Sequence, residues 1–112
     1  MERQEICARY NIPVQIFRIY ERICPEEKTR YNDSDIERLG MIMTLCDAGF
    51  SEAEIERYMN FCKNGKSEPE KCISMLENKR RGTLEKIHHM ERQIENIDCL
   101  KYKLKAEVMK NE

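Results

Sequence analysis

The sequence predicts an all-α fold: short helices joined by tight turns around one modest core, followed by a single long helix. Three observations carry that prediction. The spacing Ser-x-x-Glu recurs at Ser34, Ser51 and Ser67 (SDIE, SEAE, SEPE), and a Ser hydroxyl that caps the third backbone N–H while a Glu reaches back marks a helix start. Residues 3–9 and 14–23 each read as a short helical piece, separated by Tyr10-Asn11-Ile12-Pro13. From Pro69 to Met109 no further proline interrupts, and a seven-residue apolar repeat can be written through the segment.

Taken in order, the first two pieces form a helix, a tight turn and a helix, because Asn11 tolerates positive φ and Pro13 suits the first turn of the second helix. The helix opened by Ser34 places Ile36, Leu39, Ile42, Met43, Leu45 and Cys46 at helical spacing. Gly49 supplies its left-handed end, with Phe50 behind it as the apolar contact. The helix opened by Ser51 carries Ala53, Ile55, Tyr58, Met59, Phe61 and Cys62 and is expected to stop at Asn64-Gly65. In the last segment Ile73, Arg80, Ile87, Ile94, Lys101 and Val108 take one core position, and Leu76, Thr83, Met90, Ile97 and Leu104 take the other. Some 40 residues at 1.5 Å each make a helix of about 60 Å, twice the width of a small domain. Such a helix either finds a partner outside its own globule, most economically a second copy, or folds back on the same chain. A single Arg or Lys at a core position lowers stability and helps choose register or orientation.

Composition sets the limits. With 112 residues, 37% charged and 40% hydrophobic, the chain can bury one small core. A net charge of −1 gives no global field toward nucleic acid or an anionic membrane, so such contacts must come from local patches. Residues 32–62 hold seven carboxylates against two basic side chains, and residues 63–86 hold seven basic against four acidic ones. That separation suits charge-complementary packing. The six cysteines (Cys7, Cys24, Cys46, Cys62, Cys72, Cys99) include no Cys-x-x-Cys pair. They read as reduced thiols serving as small core hydrophobes. MERQEICARY lacks the apolar stretch of a signal peptide, and no run is long enough to span a membrane. The expectation is a cytoplasmic protein in a reducing compartment.

Four stretches together resemble the MerR-type (mercury-resistance regulator) transcription factors. DIERLGMIMTLCDAGFSEAEIERYM, 35–59, follows the family's order of acidic residue, apolar helix, Gly-Phe-Ser and acidic amphipathic helix. VQIFRIYE, 14–21, resembles the end of the family's helix-turn-helix, and KTRYNDSD, 28–35, the approach to the next helix. NKRRGTLEKIHHMERQIENIDCLKYKL, 78–104, resembles the family's long dimerisation helix, which pairs antiparallel with its twin. The resemblance implies a winged-helix-like helix-turn-helix over 1–66, a coiled-coil dimerisation helix and short tail over 67–112, and a homodimer that distorts a palindromic promoter site. Carried over, Arg18 is the recognition-helix phosphate contact and Tyr20 the family's second tyrosine. Gln15 takes a groove-facing slot, where its amide can read adenine. Arg22, Lys28 and Arg30 are further candidate DNA contacts. Dimerisation falls to Ile87, Met90, Ile94, Ile97 and Leu104. Two alternatives stay open here: Arg18 paired with Glu21, three residues on, and Tyr20 as a core tyrosine with its hydroxyl at the rim.

The sequence also departs from the family. Seven residues, 22–28, separate Glu21 from Thr29, too few for two paired strands and a turn when even a short strand takes about three. The wing is therefore reduced to a loop or missing. Ile16 and Ile19 occupy exposed-face slots that the family fills with Thr and Tyr, and read either as an apolar protein interface or as core. No metal site and no cofactor are expected. The family's first metal-ligand position falls near Pro69, with Cys72 a turn further in. KAEVMKNE after Leu104 holds no Cys or His, and adjacent His88 and His89 point in different directions. No counterpart of the large effector domain of drug-binding relatives is expected. No arrangement of nucleophile, phosphate loop or paired carboxylates suggests an enzyme. Two functions follow: a small dimeric DNA-binding regulator, or a protein-interaction adaptor that kept the scaffold and lost its grip on DNA.

Overall fold

The computed structural model describes residues 1–26, 29–62 and 67–111. Five helices follow one another: α1 (Arg3–Tyr10), α2 (Val14–Ile23), α3 (Asp33–Asp47), α4 (Glu52–Phe61) and α5 (Pro69–Lys110). Among the described residues there is no strand, and Cys24 to Glu26 with Thr29 and Arg30 are non-helical, so none of the described residues between α2 and α3 forms a wing strand. Two compact units result, Met1–Met75 and Leu76–Glu112.

The α1–α2 turn follows the expected chemistry. Asn11 sits in the left-handed region (φ 54°, ψ 43°) and ends α1, and extended Pro13 (φ −63°) is the residue from which α2 starts. Between them Ile12 is buried and pins the turn to the core. The end of α3 is a Schellman motif: the Phe50 N–H donates to the Leu45 carbonyl (3.1 Å) and the Gly49 N–H to the Cys46 carbonyl (3.0 Å). Gly49 takes φ 91°, and Phe50 is buried. Ser51 then caps α4, accepting from the Glu54 N–H at 3.2 Å while the Glu54 carboxylate accepts from the Ser51 N–H at 2.9 Å.

Two helix starts differ from the sequence expectation. α3 is capped by Asn32 rather than Ser34: the Asp35 N–H donates to Asn32 Oδ1 and the Asn32 N–H donates to Asp35 Oδ2, both at 2.9 Å. Asn-x-x-Asp satisfies the same geometry as Ser-x-x-Glu, and the earlier cap wins because it also buries Asp35 against α2. α5 begins at Pro69, with the Glu68 carbonyl accepting from the Lys71 and Cys72 amides (3.1 and 3.3 Å). Ser67 therefore lies one residue before the cap position, and proline takes the first helical place, where its missing N–H costs nothing. The expected α4 stop at Asn64-Gly65 lies outside the described residues; α4 itself ends with Cys62 as its cap.

The core of the first unit joins all five helices. Ile6, Phe17, Leu39, Ile42 and Ile55 are fully enclosed, and α2, α3 and α4 pack on one another. Phe17 meets Tyr31 edge-on (centroids 5.4 Å apart), and Phe50 meets Tyr58 in the same way at 6.4 Å. Tyr31 is also held through its backbone: its N–H donates to the Met1 carbonyl (2.7 Å), and the Met1 amino group donates to the Tyr31 carbonyl (2.9 Å). The first turns of α5 belong to this unit, because Cys72 is buried and Met75 packs against the core. The division between the two compact units falls after Met75.

The cysteines do not form a common class. Only Cys72 is buried, Cys7 and Cys24 are half-buried, and Cys46, Cys62 and Cys99 are exposed, which corrects the expectation that all six fill the core. The second unit is helix throughout its described length up to Lys110 and buries nothing of its own. Ile87, Met90, Ile94, Ile97 and Leu104 are all exposed there, as are Leu100 and Val108. Among the described residues no helix is long and apolar enough to cross a membrane.

Candidate nucleic-acid interface

The candidate interface is built on α2. Its buried side consists of Ile16, Phe17, Ile19, Tyr20 and Ile23. Because those positions fill one side of the helical wheel, Gln15, Arg18 and Arg22, spaced by three and four residues, share the opposite exposed side. A polar amide and two guanidiniums thus follow one another along about two turns of one helix.

The charges near this row are already partly matched. Arg22 Nη1 lies 2.7 Å from Glu52 Oε2 in the first turn of α4. Glu21 is taken by Arg3 at 3.5 Å, whose guanidinium also lies over the Phe17 ring, 4.9 Å from its centroid. The sequence alternative of an Arg18–Glu21 pair is therefore replaced by Arg3–Glu21. Among the described residues no hydrogen bond or ion pair engages Arg18, which leaves its guanidinium available to an anion. Both observed pairs are exposed and can be exchanged for other partners at small cost, since such pairs contribute about 0–1 kcal/mol.

Three predicted contacts must be corrected. Ile16 and Ile19 are 3% and 5% exposed; they are core, because α2 packs against both α3 and α4 and needs an apolar width that one row of side chains cannot supply. The apolar surface that motivated a protein-interaction adaptor is thus closed by the protein's own helices. Tyr20 is also core, at 3%. Its hydroxyl donates to Asp35 Oδ1 at 2.5 Å, and Arg38 Nη1 approaches it at 3.5 Å. Burial, followed by the Asp35 hydrogen bond, raises the Tyr20 hydroxyl above its ordinary pKa, with Arg38 opposing.

Arg30 is exposed beside the short loop, and Lys28 lies outside the described residues. The role the sequence did not reveal is that of Asp35. It is 1% exposed, completes the Asn32 capping box from the first turn of α3 and anchors Tyr20, which ties α2 to α3. Its signal was present as Asn32-x-x-Asp35, overlapped by the competing Ser34-x-x-Glu37.

Comparison with protein families gives a match over residues 3–62, more than half of the chain, to the family described as MerR HTH family regulatory protein. Neither curated proteins nor solved structures gave a match.

Proposed function

Since the chain belongs to the MerR family of helix-turn-helix regulatory proteins, we propose that it acts as a small dimeric DNA-binding transcriptional regulator at a palindromic promoter site. The observation that carries this reading is the exposed row Gln15, Arg18 and Arg22 on α2, seated on a core that fixes the helix on its other side. Arg18 supplies a phosphate or base contact, and Gln15 presents an amide that can pair with adenine in the major groove. Arg22 leaves Glu52 for phosphate when DNA is present, and Arg30 adds a backbone contact beside the shortened loop. The dimer forms through α5, whose exposed Ile87, Met90, Ile94, Ile97 and Leu104 repeat at coiled-coil spacing. A two-fold dimer presents two copies of α2, which is why the site is expected to be palindromic.

The test is retention of the purified protein on duplex DNA across a salt gradient. Retention is expected to fall steeply with salt, and Arg18→Ala is expected to weaken binding and lower the slope of log affinity against log salt by about 1. A protein that ignores DNA at low salt would end this reading.

A further inference from the structure

We propose that Cys62 and Cys72 form a reversible intramolecular disulfide, a redox-responsive cross-link between the end of α4 and the first turns of α5. Their sulfurs lie 3.6 Å apart. A disulfide bond is about 2.05 Å long, so the two must approach by about 1.5 Å, a movement within the range of side-chain rotation at a helix end. The two helix ends are already held together by other contacts. The Glu68 N–H donates to the Phe61 carbonyl at 2.8 Å, Lys71 Nζ lies 5.3 Å from the centroid of the Phe61 ring, and the Cys72 thiol faces the Tyr58 carbonyl at 3.9 Å.

The environments of the two thiols divide the work. Cys62 is exposed at the cap of α4, whereas Cys72 is 6% exposed and has Cys62 as its sulfur neighbour. Burial first, and the hydrogen bond with Cys62 second, push the Cys72 thiol up to about 11. Cys72 is therefore a poor attacker of an incoming reagent and suits the second step, in which its partner sulfur is already in place. The oxidant class is a low-molecular-weight disulfide. Cys62, having lost its proton to solvent, attacks one sulfur of that disulfide; the S–S bond breaks and one small thiol leaves, taking up a proton. Cys72 then attacks the Cys62 sulfur of the mixed disulfide, and the second small thiol departs with the Cys72 proton. Two protein thiols are oxidised to one disulfide, and the small disulfide is reduced to two thiols. This chemistry does not depend on DNA binding.

The experiment treats the reduced full chain, without air, with oxidised glutathione at graded ratios to reduced glutathione. It counts free thiols and maps the peptides by mass spectrometry. Two of the six thiols are expected to disappear together, with Cys62 and Cys72 in one linked peptide, and to return when reduced glutathione is added. Cys62→Ser, at an exposed position, is expected to keep its helicity and yield no linked peptide. Cys72→Ala is expected to stop with glutathione on Cys62. Glutathione retained on Cys62 in the unaltered chain, cross-linking between chains through Cys46 or Cys99, or paired thiol loss persisting in Cys62→Ser would each overturn the proposal.

Discussion

At the scale of single residues, Asp35 makes the most demanding connection in the molecule. Its carboxylate is 1% exposed, accepts the Asn32 N–H and receives the Tyr20 hydroxyl. Asp35→Ala removes the carboxylate half of the Asn32–Asp35 capping box, a hydrogen bond worth about 1 kcal/mol, and leaves a buried hydroxyl without its charged acceptor, worth about 2 kcal/mol more. The expected loss of about 3 kcal/mol is read from the urea midpoint, and a change within error would show that Tyr20 finds another acceptor. Cys72 sets a pH dependence of known sign. Its thiol ionises near 9.0 when unperturbed and near 11 in the fold, so across that window the folded chain holds a proton that the unfolded chain releases. Stability is full below pH 9 and falls as pH rises through 11. Tyr20, raised from 10.0, adds loss in the same direction at higher pH. In reduced protein, Cys72→Ala is expected to flatten the decline in urea midpoint that begins above pH 9.

At the scale of elements, the α3–α4 corner was written most fully in the sequence. Asp47-Ala48-Gly49-Phe50-Ser51 compresses a Schellman stop and a capping-box start into adjacent residues, and both were legible because each signal involves neighbours within about four positions. Gly49 carries φ 91°, where a side chain is strained whatever space surrounds it. Gly49→Ala is expected to cost about 1 kcal/mol and lower the melting temperature by several degrees while leaving helix content unchanged. The start of α3 was less legible, since Asn32-x-x-Asp35 and Ser34-x-x-Glu37 offer the backbone equivalent caps two residues apart. The choice fell to Asp35 because it alone reaches Tyr20, fifteen residues earlier, and such a partner is invisible to local pattern.

At the scale of the whole molecule, the two units differ in how they satisfy their apolar side chains. Met1–Met75 encloses a core, whereas the apolar positions of Leu76–Glu112 stay exposed on one long helix. A helix carrying Ile87, Met90, Ile94 and Ile97 at 44–61% exposure is the surface on which the proposed dimer rests. Ile94→Asp is expected to convert a dimer to a monomer in sedimentation or light scattering, and to weaken DNA retention because two linked copies of α2 are lost. The same variant remaining dimeric would place the partner surface elsewhere.

The amino-acid sequence by itself determined the all-helical class, the positions of most helix starts and stops, the seven-residue period of α5 and the family. These depend on spacing and on contacts within one or two helical turns. Only the tertiary structure decided which side of α2 faces inward. Apolar, aromatic and charged residues alternate so closely in VQIFRIYERI that the helical period alone leaves Ile16, Ile19 and Tyr20 able to face either way. Packing against α3 and α4 settled that choice and placed Glu52 beside Arg22, and the contacts between the end of α4 and the start of α5 brought Cys62 to Cys72. Each of these contacts joins residues on different elements, and burial of apolar surface across elements, rather than any local preference, is what selects among them.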